Sequence, residues 1–342
     1  TVTATDSFGC TNSNTYTVFN GGNPAVSIGN TGSTSGCTPY NITFTIDTSS
    51  TGVGNNASGT TYTLSFNDGS TSPTYTHPPP PAIVKSFLVP SCGTNTPGFP
   101  NSFQAELIVT NPCGTNSATI RPIYISTKPV AEIEFDPDGD TVCLNAPFLI
   151  RDVSDTGRVS SNSGCNQTPR RLWDITPATG WTLNSGYFGN SGNWNNNPAN
   201  WGSQTLGVTF TDTGVYEVEL IVGNIAQAGL SVCGDDTIRR IVRVISPPMA
   251  AFTINGAGES GCLNHVVSFT NNSTGTDLEY VWQVTPNSGY SLLSGTLTSD
   301  SPVFGFNTAG YYFIQLLAEN RCSADSVQDT ILVKDAPVVS LP

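Results

Sequence analysis

A strand-like run that stops at a proline and starts again occurs four times: VFNGGNPAVSI around Pro24, IYISTKPVAEI around Pro129, VRVISPPMAAF around Pro248 and ILVKDAPVVSL around Pro337. Proline has no amide hydrogen to give to a ladder, so each phrase closes one strand and releases the chain into another. The intervals of 105, 119 and 89 residues are each the length of a small domain, and recurrence on that scale reads as a repeat array. Cysteines keep a fixed distance from these prolines. Cys37, Cys143 and Cys262 follow one by 13, 14 and 14 residues, while Cys10, Cys113, Cys233 and Cys322 precede one by 14, 16, 15 and 15.

The last repeat shows the local pattern. From Gly310 to Glu319, Tyr312, Ile314, Leu316 and Ala318 alternate with Phe313, Gln315, Leu317 and Glu319, giving a strand with one face wholly apolar. Asn320 to Ser323 reads as a turn around Cys322, and Val327 with Thr330 to Val333 as the returning strand. With 34 Gly, 24 Pro and only 11% charged residues, the chain suits many short strands joined by turns and argues against helical bundles. Three complete domains are expected at 24–128, 129–247 and 248–336. They follow the last strands of a preceding repeat at 1–23 and lead into the start of another at 337–342. Thr1 already lies in a strand-like run, as if the chain were cut from something longer. Domains of 90 to 120 residues of alternating strands have the length and pattern of an immunoglobulin-like sandwich.

Charge and cysteine usage bound the surroundings. The net charge of −13, with only 12 Lys and Arg, excludes nucleic acid as a partner, because phosphate binding needs clustered cations. No apolar run reaches the ~18 residues of a membrane span. Nine cysteines with no C-x-x-C spacing fit oxidised disulfides better than a zinc site, and so an extracellular compartment.

The second and third domains share Trp173-Asp-Ile-Thr-Pro177 and Trp282-Gln-Val-Thr-Pro286, each leading to a Gly and a Ser-Gly at matching distance. Both tryptophans read as core anchors of a central strand. An F-x-x-x-G-x-Y phrase (Phe306, Gly310, Tyr312) followed by alternating apolar residues, an Asn and a Cys, with that Trp strand upstream, resembles the polycystic-kidney-disease (PKD) repeat found in tandem in bacterial surface proteins. Phe66-Asn-Asp68-Gly69 with His77 resembles the F-G-D-G turn of that family, with Leu64 where the Trp would stand; the other two domains lack this turn. Gly261-Cys262 followed by VVSFTNNS (Val266 to Ser273) is similar to the same repeat. The resemblance spans essentially the whole chain, and its Cys-rich, Lys-poor variety looks like the giant repeat proteins of Bacteroidota, including gliding-motility adhesins of the SprB type. It implies an all-β fold of tandem immunoglobulin-like/PKD-like sandwiches stacked end to end. It also implies a structural stalk or filament segment of a secreted bacterial cell-surface adhesin, whose partners are neighbouring repeats of the same chain.

In a sandwich of this topology Cys37, Cys143 and Cys262 sit between the first two strands, at the trailing end, and Cys113, Cys233 and Cys322 sit in the turn before the last strand, at the leading end. Within one domain these are a strand apart, roughly 25 to 30 Å, whereas a disulfide needs Cα atoms within about 7 Å. Stacking places one domain's trailing end against the next domain's leading end, which favours Cys37–Cys233 and Cys143–Cys322. Cys92 and Cys165 fall at one junction and make a third pair. Cys10, Cys113 and Cys262 then take partners outside the chain. Intradomain pairing, with only Cys10 stranded, satisfies the count equally well, so counting leaves both schemes open.

The remaining candidate sites are local. Asp136, Asp138 and Asp140 alternate around a Gly turn like the start of a calcium loop, though no distal Glu completes it, so Ca2+ is the one cofactor considered. An insertion in the second domain carries Tyr187, Trp194 and Trp201 among Asn and Gly, a composition suited to stacking on polysaccharide; aromatics folded over their own domain are the alternative. Thr141, Thr237, Ser326 and Thr330 each follow Asp and precede an apolar residue, similar to O-glycosylation sites of Bacteroidota. Pro78 to Pro81 reads as a stiff polyproline loop. No catalytic residue is nominated: His77 and His265, the two histidines, lie in no metal or triad motif, and no G-x-S-x-G elbow occurs. The chain is read as a non-enzyme.

Overall fold

Strand alternation becomes sheet faces in the computed structural model, which describes residues 1–15, 21–167, 169–190, 198–224 and 233–339. Strands β1 (Val2–Thr5) and β2 (Thr11–Asn14) form an exposed hairpin. The next strands are β3 (Ile28–Thr31), β4 (Ser35–Cys37), β5 (Tyr40–Ile46), β6 (Thr61–Phe66), β7 (Tyr75–Thr76), β8 (Ala82–Phe87), β9 (Phe103–Asn111) and β10 (Gly114–Ser126). They build two sheets, β3-β5-β8 and β4-β10-β9-β6-β7.

A second pair of sheets follows, made from β11 (Ile133–Asp136), β12 (Thr141–Cys143), β13 (Pro147–Asp152), β16 (Pro169–Thr176), β17 (Trp181–Ser185), β18 (Thr205–Phe210), β19 (Gly214–Asn224) and β20 (Asp236–Ile245). Their orders are β11-β13-β18-β17 and β12-β20-β19-β16, with β14 (Val159–Ser161) and β15 (Gly164–Asn166) as a separate hairpin. The third pair repeats that plan. Strands β21 (Phe252–Gly256), β22 (Ser260–Cys262), β23 (His265–Asn271), β24 (Glu279–Thr285), β25 (Tyr290–Ser294), β26 (Val303–Phe306), β27 (Gly310–Glu319) and β28 (Ala324–Lys334) form β21-β23-β26-β25 and β22-β28-β27-β24.

Each pair of sheets encloses its own apolar cluster. Phe44, Tyr62, Leu64 and Leu107 belong to the first, Phe148, Trp173, Phe210 and Leu220 to the second, and Phe269, Trp282, Phe304 and Leu316 to the third. The inward residues are the alternate ones: in β27, Tyr312, Ile314, Leu316 and Ala318 are all buried. Trp173 and Trp282 are core side chains, each tied by its indole N–H to a carbonyl, Ser203 at 2.8 Å and Ser299 at 2.9 Å. Leu64 holds the corresponding place opposite Leu107, as Trp282 does opposite Leu316.

The segment between the first two long strands carries more structure than a turn. In each sandwich a three-residue strand (β4, β12, β22) crosses to the other sheet and runs parallel to the end of the last strand. Its final residue is the cysteine, so Cys37, Cys143 and Cys262 pair with Ser126, Ile245 and Lys334 just before the linker.

Candidate functional site at the sandwich junctions

The start of the sixth long strand decides the kind of sandwich. Tyr216 lies with its hydroxyl 3.0 Å from the carbonyls of Asp212 and Gly180, and Tyr312 with its own 2.9 Å from those of Thr308 and Gly289, each hydroxyl donating backward across a corner. Gly180 and Gly289 hold φ values of +86° and +82°, and a Cβ at either would collide with the tyrosine oxygen, so glycine is required there. Together with the sheet orders and the buried Trp, this tyrosine corner is an immunoglobulin hallmark. The chain is a tandem array of immunoglobulin-like domains. In the first domain Phe103 starts the equivalent strand, buried but without a hydroxyl to close the corner.

Between domains the chain is held by side chains at fixed distances from the leading-end cysteines. The side-chain oxygen of Asn320 accepts from the amides of Cys322 (2.9 Å) and Ser323 (3.4 Å), while its amide nitrogen donates to the carbonyls of Ser246 and Thr276, both at 2.8 Å. One residue thus shapes the turn that presents Cys322 and clasps the linker from the domain before. Asn111 does the same for Cys113 and Gly114, and donates to Gly22 at 3.2 Å. In the terminal hairpin, Asp6 accepts from Phe8 and Cys10. Three residues after Cys113, Cys233 and Cys322 comes a second contact: Asn116 donates to the Pro24 carbonyl, and Asp236 and Asp325 accept from the amides of Ala131 (2.7 Å) and Ala250 (2.8 Å). Sequence reasoning missed these residues; their signal was the constant offset from cysteine.

Three disulfides cross between sandwiches. Cys37 is bonded to Cys233, Cys92 to Cys165 and Cys143 to Cys322, with Cα separations of 5.5, 5.6 and 5.6 Å. Cys10, Cys113 and Cys262 are free and exposed. The two junctions differ in build. At the first, the β14–β15 hairpin lies against the end of β10: the Ser160 hydroxyl donates to Ile125 at 2.7 Å, its amide donates to the Ser126 hydroxyl, and Val159, Ser160 and Ser161 are all buried. Gly157, at φ +67°, lets this segment pass the linker, since a Cβ there would come within 2.6 Å of the Thr127 carbonyl. The second junction has one disulfide and a solvent-exposed bidentate pair, Arg243 to Asp277 at 2.5 and 2.9 Å. Such an exposed pair contributes little to stability.

The calcium-like triplet lies beside this second junction. Asp136 is paired with Arg151 at 2.6 Å, the Asp138 carbonyl accepts from Arg321, and Asp140 accepts from the Thr141 hydroxyl. The three carboxylates are not brought together, and among the described residues no group of three His, Cys, Asp or Glu could hold a metal ion. Of the aromatic insertion, Tyr187 is exposed, Trp201 is half-buried and Trp194 lies outside the described residues. Phe188 packs on the core edge-on to Trp181 and accepts the Trp173 amide, and Gly202 donates to Arg171, so the insertion is laced to the edge of β16. Of the hydroxyls that follow Asp, Thr237 and Ser326 are exposed, whereas Thr141 and Thr330 are half-buried. His77 bonds the Tyr62 hydroxyl and His265 lies 2.9 Å from the Gly258 carbonyl, both structural roles. No helix among the described residues is long and apolar enough to cross a membrane.

No protein-family description matches the chain, and no curated protein does. Among solved structures it is similar to three immunoglobulin domains of titin, I67–I69 (12% identity, 86% of this chain, 92% of that one, TM-score 0.35). It is also similar to Drosophila OTK extracellular domains 3–5 (10% identity, 87% and 93%, TM-score 0.35). A third is the eight N-terminal immunoglobulin domains of Down Syndrome Cell Adhesion Molecule (8% identity, 81% and 33%, TM-score 0.42).

Proposed function

We propose that this chain is a length of extracellular stalk, a row of PKD-like immunoglobulin sandwiches that holds an adhesive end away from a bacterial cell or carries tension along its surface, as in gliding-motility adhesins. The observation that carries the reading is where the disulfides lie. A disulfide inside a sandwich would protect that sandwich, whereas these three tie each sandwich to its neighbour and so oppose bending and carry load covalently. In this reading Cys10, Cys113 and Cys262 bond cysteines of adjoining repeats, and no active site is needed. Small-angle scattering tests it. A rod-like profile that gains flexibility on reduction is expected; a compact or equally flexible profile in both redox states would overturn it.

A second reading makes the array a polysaccharide binder through the insertion of the second domain, on the strength of exposed Tyr187. Loss of glycan binding in Tyr187→Ala and Trp201→Ala, with an unchanged scattering profile, would favour it.

A further inference from the structure

The outer face of one sheet in the third domain combines two aromatic rings with a row of three glutamines, a combination the other domains lack. Register places Tyr311 beside Leu332, then Phe313 between Thr285 and Thr330, then Gln315 between Gln283 and Gln328. Their neighbours in sequence, Tyr312, Ile314, Val284 and Ile331, are buried in the core, so these rows point outward. Tyr311 is 62% exposed and Phe313 42%. The three glutamine amides and the Thr285 and Thr330 hydroxyls make no hydrogen bond to any described residue, and no ionisable group other than the Tyr311 phenol lies within the three rows. Lys334 stands beyond one end, and Glu279 and Glu319 beyond the other.

The corresponding face of the second domain is spent on itself. There Glu217, Glu219 and Asp174 meet Ile241 and Arg239, and Arg239 pairs with both glutamates. In the first domain the same face carries a single amide, Gln104, with Glu106 and Ile108 among Ser and Thr. The aromatic and amide rows are therefore particular to one domain and are no requirement of the sandwich.

We propose that this face of the third domain binds an uncharged polysaccharide. Aromatic rings take the apolar C–H faces of sugar rings. Each glutamine offers two donors and an acceptor, the combination that sugar hydroxyls need, without favouring an acidic polymer. Two residues apart on a strand, Tyr311 and Phe313 leave the backbone ~7 Å apart on one face, and three strands make the platform about 10 Å wide, room for an extended chain. A second copy of this protein is the poorer occupant, because packing sheet on sheet would strip water from three amides that such an interface leaves without fixed partners. The proposal is independent of the stalk reading: loss of binding would leave the rod dimensions unchanged.

The test is gel retardation of the full 342-residue chain by hydroxyethylcellulose, laminarin and mannan, with polygalacturonate as the acidic comparison. Retardation by at least one neutral polymer is expected. Tyr311→Thr/Phe313→Thr should weaken it by about tenfold or more, as loss of two stacking rings implies, and Gln315→Ala should weaken it less. Val215→Thr/Glu217→Thr, at the matching positions of the second domain, should leave it unchanged. Thr suits exposed strand positions, and calorimetry will verify that the variants fold. No retardation by any neutral polymer, retardation indifferent to the aromatic pair, or stronger retardation by polygalacturonate would each overturn the proposal. So would a concentration-dependent dimer that the Tyr311→Thr/Phe313→Thr variant abolishes, which would assign the face to a second copy.

Discussion

Pulling the oxidised chain from its two ends should stop far short of its contour length. Following covalent bonds only, the shortest route from residue 1 runs 91 steps to Cys92 and across to Cys165. It then goes 22 steps back to Cys143, across to Cys322, and 20 steps on to residue 342, which is 133 steps against 341 along the main chain. At 3.3 to 3.6 Å per residue the oxidised protein extends to about 440–480 Å, and the reduced protein to about 1,130–1,230 Å. Pairing within domains instead, Cys37 with Cys113, Cys143 with Cys233 and Cys262 with Cys322, would bypass 76, 90 and 60 residues and leave 115 steps, a limit of about 380–415 Å. Single-molecule force spectroscopy with handles at the termini, with and without reductant, separates these lengths. An oxidised chain that stretches past about 500 Å, or stops near 400 Å, would refute the load path derived from the three bonds. Breaking only the last bond, in Cys143→Ser/Cys322→Ser, makes the route through Cys37 and Cys233 the shortest at 145 steps, so the limit should rise by only about 40 Å.

Other consequences follow from the same geometry. Asn320→Ala removes a clasp with two donated and two accepted bonds. It should cost about 2–3 kcal/mol, lowering the third-domain transition in calorimetry by roughly 10 °C or more; a shift under about 3 °C would contradict the clasp. Trp282→Ala empties a fully buried indole site and should destabilise that domain by about 3–5 kcal/mol in urea titration. In the first domain, burial alone would raise the Asp68 pKa. Hydrogen bonds from the Ser70 hydroxyl, the Lys85 ammonium and the Ser70 amide, together with the Lys85 charge, outweigh burial and hold the carboxyl below its ordinary value. A depressed carboxylate stabilises the fold above its unfolded pKa, and that contribution is lost as pH falls through the folded one. Asp68→Asn should therefore lower the first domain's urea midpoint at neutral pH and flatten its acid limb; an unchanged acid limb would count against the pairing.

Much of the architecture was legible because it is written within single strands. Proline at four phrase boundaries, the two-residue alternation of Tyr312 to Ala318 and the paired Trp173 and Trp282 phrases all lie inside a dozen residues, and a strand's faces follow from that spacing alone. The calcium-like triplet shows where such reading stops. Asp136 to Asp140 has a suggestive spacing, but Arg151 of the neighbouring strand occupies Asp136, and nothing in the local phrase announces that strand. The aromatic insertion is similar: its composition allowed a sugar site or aromatics folded over their own domain, and the backbone bonds of Gly202 and Phe188 that lace it to that domain are written nowhere in the local phrase.

The sequence by itself determined that this is an array of β-sandwiches with cysteines at both ends of each repeat. Only the tertiary structure decided which sulfurs meet, that Asn320 and Asp325 hold the linker, and that Phe313 lies between two threonines next to a row of three glutamines. The physical reason is common to all three. Alternation along a strand is set by its own residues, whereas register between strands and the abutment of domain ends depend on contacts between residues tens to nearly two hundred positions apart, which no single stretch of chain encodes.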